Sequence, residues 1–427
     1  MVMAPSDPPV VGRHGSASSS DTTRRANLSL VLSLVHHRGA LTRSELTKLT
    51  GLNRSTIATL VGHLGDLGLV FETAATGVTQ IGRPSPMVHA TSSTAALAVN
   101  PEIDAVTIGL VGLGGQVIRK IRYETEQPPS AREVANITAA IVEGMRTELE
   151  SSYRIVGIGV AVPGLTRADD GVVSYAPHLG WHDEPIAAMI ADATGYPVSA
   201  ANDASLGAGA ELLFGAGQGC LDLIYLNGGA SGIGGGVIGD GLLRTGSNGY
   251  AGELGHTLVS SGGSSCHCGA NGCLETEVSL SRLQKLVGLP GSDVEVVERA
   301  LRAGDPDVVL PEIHRQIDFL AIALRNAVNV FNPERIILGG FLATVFALAP
   351  ERLIEQVTTL SLHGPGEVVQ VSRAVLGANI LMIGAAELAL SGVLADPLAV
   401  ALDAAPVIDV DDLEADAIAA SVGEPVR

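Results

Sequence analysis

Residues 252–275, with the sequence GELGHTLVSSGGSSCHCGANGCLE, place three of the chain's four cysteines within eight positions. One imidazole and three thiolates at this spacing suit a tetrahedral structural zinc ion, with His256, Cys266, Cys268 and Cys273 as ligands. Free reduced thiols are the alternative, and a redox pair is disfavoured because Cys-x-Cys departs from the usual Cys-x-x-Cys spacing. The stretch therefore predicts a closed zinc loop over residues 256–273, which builds structure and does not activate water.

Two glutamates, Glu253 and Glu275, flank this loop. A metal-bound loop would hold both carboxylates in place. Paired hydrogen-bond acceptors next to a fixed loop suit the hydroxyl groups of a sugar, so this part of the chain predicts a sugar site.

The charge of the chain is unevenly distributed. The 427 residues carry a net charge of −19, yet residues 1–90 hold 8 basic against 5 acidic residues. A chain of 427 residues is expected to form two or three domains. A basic head on an acidic body is the distribution expected when only one domain meets DNA.

Residues 22–90 predict a winged helix-turn-helix domain. A first helix has apolar residues at helical spacing, namely Leu28, Val31, Leu32 and Val35. Thr42 and Glu45 form a capping box for a short second helix, Gly51 supplies the turn, and Asn53 caps a third helix. That helix would enter the major groove, with Asn53, Arg54, Ser55 and Thr56 nearest the bases and phosphates.

A hairpin is predicted after the third helix, with Gly77 in its turn and the sequence Gly82, Arg83, Pro84 at its end. This hairpin is the wing, and Arg83 is positioned to reach the minor groove or a phosphate. A helical protein-interaction module is the alternative for the helices alone. The local positive charge and the wing favour double-stranded DNA as the partner.

The two ends of the chain carry no interpretable motif. Residues 1–21 are rich in Pro, Ser and Gly and predict a disordered leader, and residues 393–427 predict an acidic, partly disordered tail. No signal peptide pattern opens the chain. The longest apolar run, 336–349, is short for a bilayer span and predicts a core strand and helix. These features predict a cytoplasmic protein without a membrane partner.

Residues 94–392 alternate between strand and helix patterns and predict an α/β body. Three consecutive strands, a helix over 131–150 and a buried strand beginning RIVGIGV come first. A second half begins near residues 221–227.

Several motifs together resemble the ROK family of repressors, open reading frames and sugar kinases. They are AGELGH…CHCGANGCLE, the loop GIGVAVPG, ANDASLGAGAE, IILGGFLA, and TRSELTKLTGLNRST in the head. The match spans about residues 24–392, and His178 stands where the family often carries Asn. The resemblance implies a two-lobed, actin-like sugar-kinase fold. It also implies that Asn202, Asp203, Glu253, His256 and Glu275 contact sugar hydroxyls, with His256 also binding zinc.

In kinase members of the family the aspartate that matches Asp203 is the general base. Such kinases grip phosphate with an Asp-x-Gly-Gly-Thr pattern, where this chain has Asn100, Pro101, Glu102 and Ile103. Proline removes a backbone donor and glutamate repels phosphate, so this loop should not support phosphoryl transfer. A second glycine loop, 228–236, is retained, and Asp203 is expected to bind sugar without a catalytic role.

The sequence therefore predicts a sugar-responsive transcriptional regulator, most simply a repressor, that acts as a homodimer or homotetramer on an inverted-repeat operator. An ATP-dependent sugar kinase with an appended DNA-binding head is the first alternative. A constitutive regulator with a vestigial cleft is the second, and it would show no sugar-induced shift in melting temperature.

Overall fold

The computed structural model describes residues 19–74, 85–291 and 293–399. Its amino-terminal part, the head, contains three helices and a three-stranded antiparallel sheet of order β1-β3-β2. The helices are α1 Ser19–Arg38, α2 Arg43–Thr50 and α3 Arg54–Asp66, and the strands are β1 Leu41–Thr42, β2 Val70–Thr73 and β3 Met87–Ala90. This is the arrangement of a winged helix-turn-helix domain.

The local signals in the head act as predicted. The Thr42 hydroxyl accepts a hydrogen bond from the backbone of Glu45, whose side chain accepts one from the Thr42 backbone. Gly51 ends α2 in the left-handed conformation, at φ 71°. The Asn53 side chain caps α3 by accepting from the Thr56 backbone N–H at 2.9 Å. Capping side chains satisfy N–H groups that the helix itself leaves free.

Two predicted boundaries of the head need comment. Helix α1 begins at Ser19, so the leader predicted over 1–21 and a head starting at residue 22 are wrong by three residues. The first turn, with Asp21, is polar and shows no apolar periodicity; an acidic residue there favours a helix start through the helix dipole. The hairpin is confirmed by β2 and β3, while its tip, including Gly77 and Arg83, lies outside the described residues.

The body consists of two halves with matching sheets. In each five-stranded sheet an antiparallel meander of three strands is followed by two parallel strands. The amino-terminal sheet has the order β11-β7-β4-β5-β6, with β4 Thr94–Pro101, β5 Ala105–Gly112, β6 Val117–Glu124, β7 Arg154–Val162 and β11 Val198–Asn202. The carboxyl-terminal sheet has the order β14-β13-β12-β15-β16, with β12 Leu223–Gly229, β13 Gly232–Gly239, β14 Leu242–Leu243, β15 Arg335–Gly339 and β16 Gln370–Arg373. Two such halves define an actin-like fold, as predicted.

The remaining elements cover these sheets. A small antiparallel sheet contains β8 Leu165–Thr166, β9 Val173–Ala176 and β10 Trp181–Glu184. The helices of the amino-terminal half are α4 Ala131–Ser152, α5 Ile186–Thr194 and α6 Asp203–Phe214. Those of the carboxyl-terminal half are α7 Leu274–Glu277, α8 Leu280–Leu286, α9 Val294–Ala303, α10 Pro306–Phe331, α11 Gly340–Leu348, α12 Pro350–Leu360 and α13 Pro365–Val368. Residues 336–349 form β15 and α11, confirming a core strand and helix.

The last helix in the described part of the chain, α14 Ile380–Ala395, returns to the amino-terminal sheet. It packs so closely on β7 that a Cβ atom at Gly159 would lie 1.8 Å from the carbonyl oxygen of Ala385. Because α14 continues to Ala395, residues 393–395 belong to the body and the predicted tail starts too early. The rest of that predicted tail, from residue 400, lies outside the described residues.

Within the described part of the chain, one segment, Gly377–Ala395, has the length and hydropathy of a membrane-spanning helix. Met382, Ala385 and Leu390 of this segment are buried in a core cluster, which accounts for its apolar composition.

That cluster is shared between head and body. It joins Leu28, Val31, Leu32 and Val35 of α1 with residues of β4, α6 and α14. All four of these α1 side chains are completely buried. The head is therefore packed onto the body through a continuous apolar core and is not held by a linker alone.

Candidate functional site

A cavity of about 240 Å³, called the cleft below, lies between the two halves of the body. It forms where β7 ends, α6 begins, the β12–β13 hairpin turns and the cysteine loop crosses. The five side chains predicted to contact sugar all line it: Asn202, Asp203, Glu253, His256 and Glu275. Pockets for drug-sized ligands measure about 300–1,000 Å³, so the cleft suits a smaller molecule.

The start of α6 provides two of these residues. The Asn202 side chain caps the helix by accepting from the Ser205 backbone N–H at 2.9 Å, and its Nδ2 donates to the Gly164 carbonyl at 3.2 Å. Burial raises the pKa of Asp203 to about 7; the hydrogen bond from the Ala204 N–H opposes this shift and the charge of Glu253 adds to it. A carboxyl group with this pKa can exchange protons near neutrality.

Glu253 and His256 are positioned by a tight 3₁₀ turn, Leu254–His256. A Cβ atom at Gly255 would lie 1.9 Å from the Ile233 carbonyl oxygen, so only glycine fits between this turn and β13. Desolvation raises the pKa of Glu253, with His256 opposing and Glu275 adding to the shift. Glu275, on α7, is more deeply buried than Glu253.

The four predicted zinc ligands come together. The Cys266 Sγ lies 3.5 Å from His256 Nδ1, the Cys268 Sγ lies 3.6 Å from the Cys273 Sγ, and the four ligand atoms are all within 4.8 Å of one another. A tetrahedral zinc site with bonds of about 2.3 Å to sulfur has ligand–ligand edges of roughly 3.7 Å. The donor set and its spacing therefore fit a metal ion of the zinc type.

The loop that holds these ligands depends on its glycines, including Gly263, where a Cβ atom would lie 2.6 Å from the Gly272 Cα. Gly269 has φ 92°, and Gly272 has φ 74° with space for no Cβ atom, since one would lie 1.7 Å from the Ser260 carbonyl oxygen. A backbone hydrogen bond from the Cys266 N–H to the Ala270 carbonyl oxygen, at 2.8 Å, closes the turn. By contrast, a Cβ atom at Gly262 would meet nothing within 4 Å.

A second ligand set overlaps the first. His256, Cys266, His267 and Glu275 also place one ligand atom each within 4.8 Å of the others. The first set has three sulfur ligands, which structural zinc sites favour, and it leaves Glu275 facing the cleft. The three cysteines and His256 therefore fit a metal ion better than the second set does.

Two histidines in the cleft lining were not predicted as site residues. His267 Nδ1 lies 3.2 Å from Glu275 Oε1, and its ring contacts the ring of His178 edge-on at a centroid distance of 5.3 Å. Burial, and secondarily the charge of His267, lowers the pKa of His178. The departure at position 178 from the family's Asn was the available signal for His178. Nothing beyond its place between two cysteines pointed to His267.

The loop at Asn100–Ile103 borders a neighbouring cavity of about 370 Å³ that also reaches Asp203. The Glu102 carboxylate accepts hydrogen bonds from Asn100 at 3.2 Å and Thr107 at 2.7 Å. Arg122 lies against three carboxylates, those of Glu102, Asp104 and Glu124. Acidic groups and the basic side chains of Lys120 and Arg122 thus line this cavity together.

The predicted DNA contacts Asn53, Arg54, Ser55 and Thr56 lie together at the start of α3. Asn53 Oδ1 accepts from the Ser55 and Thr56 hydroxyls at 2.7 and 3.0 Å, so its oxygen is committed to the helix cap. Arg54 is exposed, and no hydrogen bond or ion pair ties it to the described residues. Arg83, the fifth predicted DNA contact, lies outside the described residues.

The fold and the site define a class of protein: a winged-helix head on an actin-like body, with a small-ligand cleft beside a cysteine-rich cluster that could hold a metal ion. The chain belongs to the ROK family, whose model matches residues 99–391.

Individual relatives agree with this assignment. The xylose repressor of Bacillus subtilis is 26% identical over 84% of this chain and 94% of its own length. The glucokinase of Thermotoga maritima is 31% identical over 62% of this chain and 88% of its own length. A crystal structure of a ROK family transcriptional regulator, described as a homologue of the Escherichia coli MLC protein, superposes with a TM-score of 0.71 at 26% identity, covering 87% and 98% of the two chains.

Proposed function

We propose that the protein is a sugar-responsive transcriptional regulator, a repressor of carbohydrate-metabolism genes. One observation supports this most directly: the xylose repressor matches 84% of the chain, whereas the glucokinase matches 62%. A head that contacts double-stranded DNA and a cleft that binds a sugar account for both parts of the molecule.

In this proposal the head binds DNA through Asn53, Arg54, Ser55 and Thr56 in the major groove and Arg83 in the wing. Arg54 is the most direct candidate because it is exposed and makes no described ion pair. Asn53 acts mainly by fixing the start of α3. A homodimer or homotetramer would present paired heads to an inverted repeat.

The cleft would bind one monosaccharide through Asn202, Asp203, Glu253, His256 and Glu275. Zinc, held by His256, Cys266, Cys268 and Cys273, would supply rigidity to the loop between Glu253 and Glu275 and no chemistry. With Nδ1 of His256 on the metal, its Nε2 is free to face the sugar.

Sugar binding need supply little energy to regulate DNA binding. A hundredfold change in operator affinity corresponds to about 2.7 kcal/mol of differential binding, which a few sugar hydrogen bonds can provide. The acidic body would repel DNA away from the heads. The chain is proposed to work in the cytoplasm.

A sugar kinase is the second candidate, because the pKa of Asp203 near 7 suits a general base and glucokinases are among the relatives. Against it stand Glu102 and the carboxylates around Arg122, which would repel ATP phosphates. Release of ADP with ATP and a panel of aldoses, lost in Asp203→Asn, would establish the kinase.

The first experiment is selection of bound duplexes from a random DNA pool by the zinc-loaded protein at fixed salt. Salt must be constant because the phosphate contribution to binding depends strongly on it. Enrichment of an inverted repeat supports the regulator if a sugar then weakens or strengthens the binding of the protein to that repeat. No enrichment, together with ADP release, would replace it with the kinase.

A further inference from the structure

Four side chains meet where the head packs on the body, and we call them the histidine clasp: His36, His37, Phe214 and Glu387. His36 and His37 end α1 of the head, Phe214 ends α6, and Glu387 lies on α14. The two Glu387 oxygens contact His36 Nε2 at 2.7 Å and His37 Nε2 at 2.8 Å. The Phe214 ring lies edge-on to both imidazoles, at centroid distances of 5.2 and 5.4 Å.

One side chain of the clasp has little freedom to move without the others. The Gly114 N–H donates to His36 Nδ1 at 2.7 Å, so Nε2 carries the proton and donates to Glu387. The Phe214 ring occupies space that only glycine leaves at position 115, where a Cβ atom would lie 2.9 Å from its Cε1. A displacement of Phe214 must therefore change its contact with the histidines.

Helix α6 connects this clasp to the cleft. It begins at Asp203, after the Asn202 cap, and ends at Phe214, a length of about 18 Å for its 12 residues. Both residues at its start line the cleft. One continuous helix thus has the proposed sugar site at one end and the head at the other.

The sides of α6 are packed against both halves of the body. A Cβ atom at Gly236 of β13 would lie 2.4 Å from the Cβ of Ala208, and one at Gly384 of α14 would lie 2.5 Å from the Leu206 carbonyl oxygen. Gly384 stands one helical turn before Glu387 on α14. A change in the angle between the halves must therefore move α6, α14 or both at the clasp.

We propose that α6 transmits sugar binding to the head, and that Phe214, His37 and Glu387 are the positioning residues that make α1 respond. This inference rests on the proposed function. A sugar bound to Asn202 and Asp203 shifts the start of α6, Phe214 shifts with it, and the histidines of α1 follow. Because α1 and α3 share the head's core, the orientation of α3 on DNA changes.

The test measures coupling, which is the ratio of operator affinities with and without sugar. The DNA probe is the duplex recovered by selection. The sugar probe is D-glucose, D-xylose or N-acetyl-D-glucosamine, whichever raises the melting temperature of the protein most, at saturating concentration. The variants are Phe214→Leu and, independently, His37→Gln. Phe331→Leu is the control, because Phe331 ends helix α10 as Phe214 ends α6, and it is an exposed phenylalanine outside the clasp.

Allosteric coupling factors are commonly about 5–150-fold. We expect the wild-type factor to fall to about twofold or less in Phe214→Leu and His37→Gln, with sugar affinity by calorimetry and operator affinity without sugar nearly unchanged. Phe331→Leu should keep the wild-type factor. A purely structural role would instead lower the melting temperature and leave the ratio intact.

An unchanged ratio in a folded Phe214→Leu protein would overturn the inference while leaving the proposed function standing. If Phe214→Leu does not fold, the ratio in His37→Gln decides in the same way. A wild-type protein that binds no duplex, or whose duplex affinity no probe sugar alters, would contradict the proposed function itself, and the inference with it.

Discussion

Asp203 changes charge within the pH range of ordinary assays, because its pKa is raised to about 7. An ionised carboxylate accepts stronger hydrogen bonds from hydroxyl groups than a neutral one. We expect affinity for a bound aldose to rise severalfold between about pH 6 and pH 8, measured by calorimetry. Asp203→Asn should bind more weakly with a flat profile, while the exposed Asp170→Asn should keep the wild-type profile.

The same residue affects stability in the absence of sugar. The folded protein holds the Asp203 proton above the ordinary pKa of 3.8, whereas the unfolded chain releases it there. The contribution of Asp203 to the free energy of unfolding therefore falls as the pH rises from 3.8 to about 7. Asp203→Asn should remove this decrease in stability. Denaturant titrations between pH 3.8 and about 7 that show no difference from wild type would contradict the raised pKa of Asp203.

Cys268 tests the metal assignment. Cys268→Ser should lose bound zinc, lower the melting temperature by on the order of 10 °C and weaken sugar binding, because one loop positions both Glu253 and Glu275. Cys220→Ser is the control, since Cys220 is buried away from the cluster. Wild-type zinc content in Cys268→Ser, measured by atomic absorption, would disprove the ligand set.

At the residue scale, sequence spacing predicted side chains that share a motif and missed those brought in by the fold. Cys266, Cys268 and Cys273 lie close in the chain, and together with His256 they form a cluster that could hold a metal ion. His178 reaches the cleft from a separate loop, and Glu387 lies 351 residues from His36. No local pattern records such a contact.

The start of α3 is where the head should meet DNA. Arg54→Ala should weaken operator binding by about tenfold or more and reduce its salt dependence, because one phosphate or base contact is lost. Sugar affinity should be unchanged. Arg146→Ala serves as the control, since Arg146 is exposed on α4 and paired with Glu143 and Glu150. Fluorescence anisotropy measures operator affinity and its salt dependence. A matched loss of DNA and sugar binding in Arg54→Ala would contradict the assignment.

At the element scale, helices with caps were the most predictable. The capping box at Thr42 and the Asn53 cap fixed the starts of α2 and α3, as the structure confirms. The start of α1 was missed because its first turn is polar, and the end of α14 because Ala- and Asp-rich composition suggested a tail. The composition of residues 391–427 therefore did not predict where α14 ends.

The charge of the whole cleft predicts which sugars it accepts. Among the described residues that line it, Asp203, Glu253 and Glu275 are acidic and none is Lys or Arg. We expect an uncharged monosaccharide to raise the melting temperature, since ligand at a hundred times its dissociation constant stabilises by about 2.7 kcal/mol. The 6-phosphate of the same monosaccharide should raise the melting temperature less. Differential scanning fluorimetry with D-glucose and N-acetyl-D-glucosamine, each beside its 6-phosphate, tests this; inorganic phosphate controls for ionic strength, and stronger stabilisation by the phosphates would refute it.

At the scale of the molecule, the actin-like fold was predicted through family motifs more than through periodicity. The matching topology of the two sheets was not, because strand order depends on pairings between distant segments. The apolar stripe of α1 predicted a buried face without indicating that the body covers part of it.

The core shared by α1, α6 and α14 means that the head is not a portable module. Cutting the chain between β3 and β4 would expose apolar side chains of the body that belong to this shared core to water. We expect a headless relative to carry more polar residues on the face of the helix that matches α14. We therefore expect that separating the head from the body requires matching polar substitutions on the body, so that the two parts behave as one folding unit.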